Sequence, residues 1–138
     1  MSVLESVRDY LREIPGLEGL RLDGMDFQAG ALCLVSDPAE LVLRTYLDGS
    51  TRRQACFTLL LRWGAGAPDE SGAAAQGALC ALAEALETRT LAGNLPELGP
   101  GLRAWSLRAS DAPDTLIEQD NGLRVERLPL RLIYYKEG

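Results

Sequence analysis

Apolar side chains recur at helical spacing from the start of the chain, with Val3, Leu4, Val7, Leu11 and Ile14 on one stripe. Ser2 stands where an N-cap belongs, and Glu5 follows three residues later as its capping-box partner. Pro15 and Gly16 then stop the helix. Residues 17–36 are rich in Gly and Asp early and apolar late, which predicts a weak strand or irregular loop leading into a strand near 31–35.

Asp37-Pro38 predicts a break, after which Leu41, Leu43, Thr45 and Leu47 alternate with Val42, Arg44 and Tyr46. Asp48-Gly49 follows, and beyond it Ala55, Phe57, Leu59, Leu61 and Trp63 fall on one face, with Gln54, Cys56, Thr58 and Arg62 mostly on the other. An Asp-Gly turn between two alternating segments predicts a β-hairpin. A register slip of one residue would move Phe57, Leu59 and Leu61 into water at roughly 1.5–3 kcal/mol each, so the pairing should be firmly fixed.

Gly64, Ala65, Gly66, Ala67 and Pro68 read as a loop, and Ser71 as the cap of a second helix over 72–92. Its stripe is Ala75, Leu79, Leu82 and Leu86, widened by Cys80 and Ala83, with Gly93 as the C′ residue. Residues 93–101 hold too much Gly and Pro for regular structure. An alternating segment over 103–109 predicts a strand. Turns follow around 110–114 and 119–122, then a long strand over 123–135 with Leu128, Leu130, Leu132 and Tyr134 on its apolar face. Pro129 cannot donate to a ladder, so that strand should be bulged or at an edge there. The sum is a single α+β domain over 1–138, a mainly antiparallel sheet with two helices packed on one face.

Composition adds bounds rather than chemistry. At 138 residues, 46% hydrophobic and 25% charged, the chain is long enough for a real core and reads as an ordinary globule. A net charge of −6 argues against gripping nucleic acid by phosphate neutralisation and predicts no sequence-specific nucleic-acid binding. Cys33, Cys56 and Cys80 form no Cys-x-x-Cys pair and have no histidine to complete a zinc site, which suits a reducing cytoplasm. No apolar run approaches a membrane span, and the first residues lack the basic-then-apolar pattern of a leader, so neither export nor membrane insertion is expected.

With no histidine, triads built on Ser-His-Asp or Cys-His and sites built on His-bound metal are excluded. Lys136 is the only lysine, which leaves no P-loop or Schiff-base candidate upstream. Paired acids remain, Asp23 with Asp26 and Asp111 with Asp114, but they sit in turn-like segments where Asp caps backbone groups. Trp63, Trp105, Tyr134 and Tyr135 are expected on strands, as packing or as contact residues. No catalytic residue, metal or cofactor is assigned, and the chain is not expected to be an enzyme.

Three segments carry a resemblance. They are Tyr46-Leu47-Asp48-Gly49-Ser50 with Arg53, Gln54 and Phe57; Gly93-Asn94-Leu95-Pro96 with Leu98 and Gly99; and Arg131-Leu132-Ile133-Tyr134-Tyr135. In this order and spacing the chain resembles phage minor capsid proteins of the tail-terminator, or head-tail joining, type. The match is poor at residues 63–77 and 111–121. The resemblance implies a tail-terminator-like α+β fold and a structural virion protein of a tailed phage or prophage. It also implies a ring homo-oligomer at the head-proximal end of the tail, a hexamer among the forms allowed, contacting a tail-tube or head-completion protein. The location implied is the virion tail, and the host cytoplasm during assembly. Candidate contact residues are Arg52 and Arg53, expected at the hairpin tip, Trp63 on the following strand, and Leu95, Pro96 and Glu97 in the rigid loop. Two other readings stay open: a cytoplasmic regulatory module binding a small molecule or protein, and a carboxylate-dependent hydrolase using Asp23 or Asp26.

Overall fold

The computed structural model describes residues 2–22, 32–63, 72–117 and 124–138. The first helix, α1 (Val3–Arg12), opens on the expected capping box. Ser2 Oγ accepts from the Glu5 amide at 3.1 Å, and Glu5 Oε1 accepts from the Ser2 amide at 3.1 Å. The bond from the Ser2 amide, and after it the one Ser2 Oγ donates to Oε1 at 3.0 Å, hold the Glu5 carboxyl below its ordinary range. After the helix, Arg12 donates two hydrogen bonds to the Leu20 carbonyl, at 2.6 and 2.9 Å, and so ties down the turn that Pro15 and Gly16 begin.

Six strands among the described residues form one sheet in the order β1-β2-β3-β6-β4, with β5 also pairing β6. They are β1 (Arg21–Leu22), β2 (Leu32–Thr45), β3 (Thr51–Trp63), β4 (Leu102–Ala109), β5 (Asp114–Ile117) and β6 (Arg124–Lys136). All neighbours are antiparallel except β1, which runs parallel to β2 beside Cys33 and Leu34. The architecture is therefore α+β, with a mostly antiparallel sheet carrying α1 and α2 (Gly72–Leu91).

The hairpin lies where the Asp-Gly turn predicts it. Gly49 adopts φ +89°, a conformation open to glycine at little cost, and Asp48 Oδ1 accepts from the Ser50 amide at 2.9 Å. The Ser50 bonds lower the Asp48 carboxyl's pKa, its hydroxyl bond contributing most. Phe57 faces Leu130, Leu59 faces Leu128 and Ala55 faces Leu132, which builds the core-side surface of the sheet. Val7, Tyr10 and Leu11 of α1 close over it together with Leu79, Leu82 and Leu86 of α2. The α2 stripe is as expected except at Cys80, which is exposed, while Ser71 and the side chain of Ala75 lie outside the described residues.

Two expectations are corrected, and the reading of Pro129 as a local edge agrees with the structure. Asp37-Pro38 does not end a strand: β2 runs through it with a register shift between Ser36 and Glu40, so Pro38 falls where β2 makes no pairing with β3 and its missing donor breaks no ladder. Asp114 is not only a turn residue, since it opens β5. Pro129 lies inside the sheet, opposite Thr58 of β3. Its other flank is the gap between β4, whose pairing ends at Leu130, and β5, whose pairing begins at Arg127. The strand is locally an edge where the donor is lacking, and the Pro129 carbonyl still accepts from the Ser110 amide at 2.9 Å.

Candidate functional site

The residues proposed from sequence do not form one cluster. Arg52 and Arg53 are not at the hairpin tip, which is residues 46–50. They open β3 inside a paired ladder and point to opposite faces of the sheet. Arg53 donates to Thr51 Oγ1 at 2.9 Å, while Arg52 lies over the Trp105 ring at 5.3 Å. Trp63 ends β3, and its side chain lies outside the described residues.

The rigid loop is a plug rather than a docking tip. α2 ends in a Schellman motif: the Asn94 amide bonds to the Arg89 carbonyl at 2.8 Å and the Gly93 amide to Thr90 at 3.1 Å, with Gly93 at φ +78°. The chain then turns inward. Leu98 and Pro96 are buried, Leu95 is half-buried against the core, and Tyr10 Oη donates to the Asn94 carbonyl at 2.7 Å. Of the three loop candidates only Glu97 is exposed.

The paired acids are occupied structurally or lie elsewhere. Asp23 and Asp26 fall outside the described residues. Asp111 accepts from the Ala112 amide, and Asp114 takes a two-pronged bond from Arg127 at 2.8 and 2.6 Å. No cluster of three or more potential metal ligands occurs among the described residues. Sequence reasoning missed Glu126, a fully buried carboxylate on the core side of β6 opposite Leu61, which accepts from Thr115 Oγ1 and leaves Oε2 without a partner. An apolar cleft of about 370 Å³ opens between the end of α1, α2 and the sheet, lined by residues such as Ile14, Leu17, Leu32, Leu61 and Leu82.

The exposed large apolar side chains trace a different pattern. Apart from Leu47 at the hairpin turn and Leu91 at the end of α2, they lie at the two opposite rims of the sheet: Leu41, Val42 and Leu43 on β2, and Trp105 on β4. Leu41 and Val42 are more than half exposed, at 54% and 51%, and Leu43 and Trp105 stand near 40%. β1 covers only Cys33 and Leu34, so no described strand flanks β2 beyond them.

Both rims owe their shape to bulges. The ladder shifts between Val42 and Arg44 on one rim and between Ala104 and Ser106 on the other. One cross-strand row, Val42, Arg53, Tyr134, Ala104, runs from rim to rim, and the extra residues Leu43 and Trp105 each follow directly after its ends. A bulge turns an additional side chain outward and discourages simple strand addition. The β4 rim is further closed where Thr90 Oγ1 accepts from the Leu107 amide at 3.2 Å and donates to its carbonyl at 3.0 Å. Contacts at these rims would therefore be made by side chains rather than by a continued ladder.

No protein-family model matches this chain, and comparison with curated proteins finds no relative. No helix among the described residues is long and apolar enough to cross a membrane.

Proposed function

We propose that this chain is a structural subunit of a tailed phage or prophage that assembles into a closed ring at the head-proximal end of the tail. The motif order in the sequence suggests the role. The observation that carries it is the placement of exposed apolar residues on two unlike, opposite rims of one sheet. A ring needs two different patches that meet head to tail, because a single self-complementary patch stops at a dimer. Leu43 at the bulge, flanked by Leu41 and Val42 on opposite faces of the same edge strand, marks one rim, and Trp105, the residue type most often dominant at interfaces, anchors the other.

A complementation experiment tests this reading. Native mass and negative-stain microscopy of the wild type, alone and with tail-tube protein, should give rings with a central hole. Leu43→Glu and Trp105→Glu should each abolish rings and leave thermal stability nearly unchanged. Mixing them should restore a single dimer interface and no ring, since each variant keeps one intact rim. A wild type that stays monomeric at high concentration with tail-tube protein present overturns the proposal.

The apolar cleft favours the second reading, a small-molecule-binding module, since its size lies in the range of ligand sites. Its lining among the described residues is almost wholly apolar, and ligand sites ordinarily add a few convergent polar groups. Thermal-shift screening with apolar ligands would test it.

A further inference from the structure

The net charge of −6 averages over two unlike surfaces. Strand alternation places Arg44, Arg52, Tyr135 and Arg103 in one cross-strand row on the sheet face away from the helices. Arg131 and Arg108 pair in a second row on the same face, four residues further along the strands. Strand spacing puts the five guanidinium-bearing positions within a patch about 15 Å by 13 Å. The helices carry mixed charge instead, with Glu5, Asp9, Glu13, Glu84 and Glu87 set among Arg8, Arg12 and Arg89.

The patch is organised by aromatic rings. Arg44 sits over Tyr46 at 5.6 Å, Arg52 sits over Trp105 at 5.3 Å, and the Tyr46 and Tyr135 centroids are 6.2 Å apart. Arg44 faces Arg52 directly across the ladder, an arrangement of like charges that costs stability unless an anion answers it. Arg52 Nε is buried with no hydrogen-bond partner. Arg103 and Arg131 are exposed and have no ion pair among the described residues. Arg108 reaches only Glu87 of α2, at 3.9 Å.

We propose that this open sheet face binds the phosphate backbone of nucleic acid without reading its sequence, through Arg44, Arg52, Arg103 and Arg131. Guanidinium groups suit phosphate because their planar fork donates two parallel bonds to two oxygens. Aromatic rings interleaved with arginines favour a nucleic acid over an acidic protein, since bases stack on rings and carboxylate side chains do not. The inference stands on this face alone and does not require the ring.

Fluorescence anisotropy tests it with a labelled oligo-dT of about 20 nucleotides, a duplex of equal length and a polyglutamate peptide, at about 50 and 200 mM salt. Both nucleic acids should bind at low salt, and the affinity should fall by more than about tenfold at high salt, where releasing counterions into a more concentrated solution gains less entropy. Arg103→Ser with Arg131→Ser should flatten that salt dependence and weaken binding at least about fivefold, with an unchanged melting temperature. The same measurements on Leu43→Ser separate this inference from the ring, because that substitution removes the apolar rim side chain without placing a charge beside Arg44. Failure to bind at low salt, binding indifferent to the double substitution, or equal affinity for polyglutamate would each overturn it.

Discussion

The two faces of the sheet are built from the same strands and differ in everything else. On the helical face Phe57, Leu59, Leu128, Leu130 and Leu132 are buried, and each cross-strand pair adds apolar area to one continuous core. On the open face the same strands offer Arg52, Cys56, Arg131 and Tyr135, with like charges tolerated side by side. Stability resides in the first face, and the second is free to carry recognition. A residue's effect on folding should therefore follow the parity of its position in β3 and β6 rather than its place along the chain.

The largest break in that contrast should come from the middle of the helical face. Leu130 is fully buried opposite Phe57, and Leu130→Ala removes the Cγ methine and both methyl groups from the packed core. The expected cost is about 2–5 kcal/mol in chemical denaturation. Arg131→Ser, one residue away on the other face, should change stability by less than about 0.5 kcal/mol. Equal effects from the two would refute the division.

An intermediate effect is expected at the seam between helix and rim. Thr90 satisfies both backbone groups of Leu107 with one hydroxyl. Thr90→Val keeps the shape and removes the hydroxyl, so an amide and a carbonyl lose their partner at a cost of about 1–3 kcal/mol. Hydrogen exchange at the Leu107 amide should quicken in that variant. If it does not, the rim is held by the packing of α2 alone.

Much of the helical face was legible in the sequence because each signal there is local. The Ser2 and Glu5 box, the Asp48-Gly49 turn, the Leu79, Leu82 and Leu86 stripe and the Gly93 cap each work within four to seven residues, and the structure contains them all. The rims and the open face were not legible. The shift between Val42 and Arg44 depends on how β2 meets β3, and without it Leu43 reads as one more alternating position. Burial of Pro96 and Leu98 depends on the space left beside α1 and β4, so a Gly- and Pro-rich loop reads as a surface feature when it is a plug. Net charge hid the basic face because a sum carries no information about sides; the alternation of Arg52 with Phe57 parity, and of Arg131 with Leu130 parity, was the signal available. β5 was missed because Asp114 to Ile117 follow turn residues and pair only where β6 extends beyond β4.

The smallest expected effect belongs to the open face itself, at the pair that joins β5 to β6. Arg127 hydrogen-bonds to Asp114 through two nitrogens, and this bond is the main reason the Asp114 carboxyl titrates below its ordinary range. A carboxyl whose pKa is depressed on folding contributes stability that is present above its unfolded pKa and is lost as pH falls through the folded value. The loss therefore belongs to the acid side of the ordinary carboxylate range, below about pH 4. Both partners are largely exposed, so solvent screens the pair and its contribution should be hard to detect in a melting curve. The sensitive readout is the titration of the Asp114 carboxyl by NMR, whose midpoint should rise toward the ordinary range in Arg127→Met. A midpoint unchanged by that substitution would mean that backbone bonds hold the carboxylate, leaving Arg127 unpaired and adding one more cation to the open face.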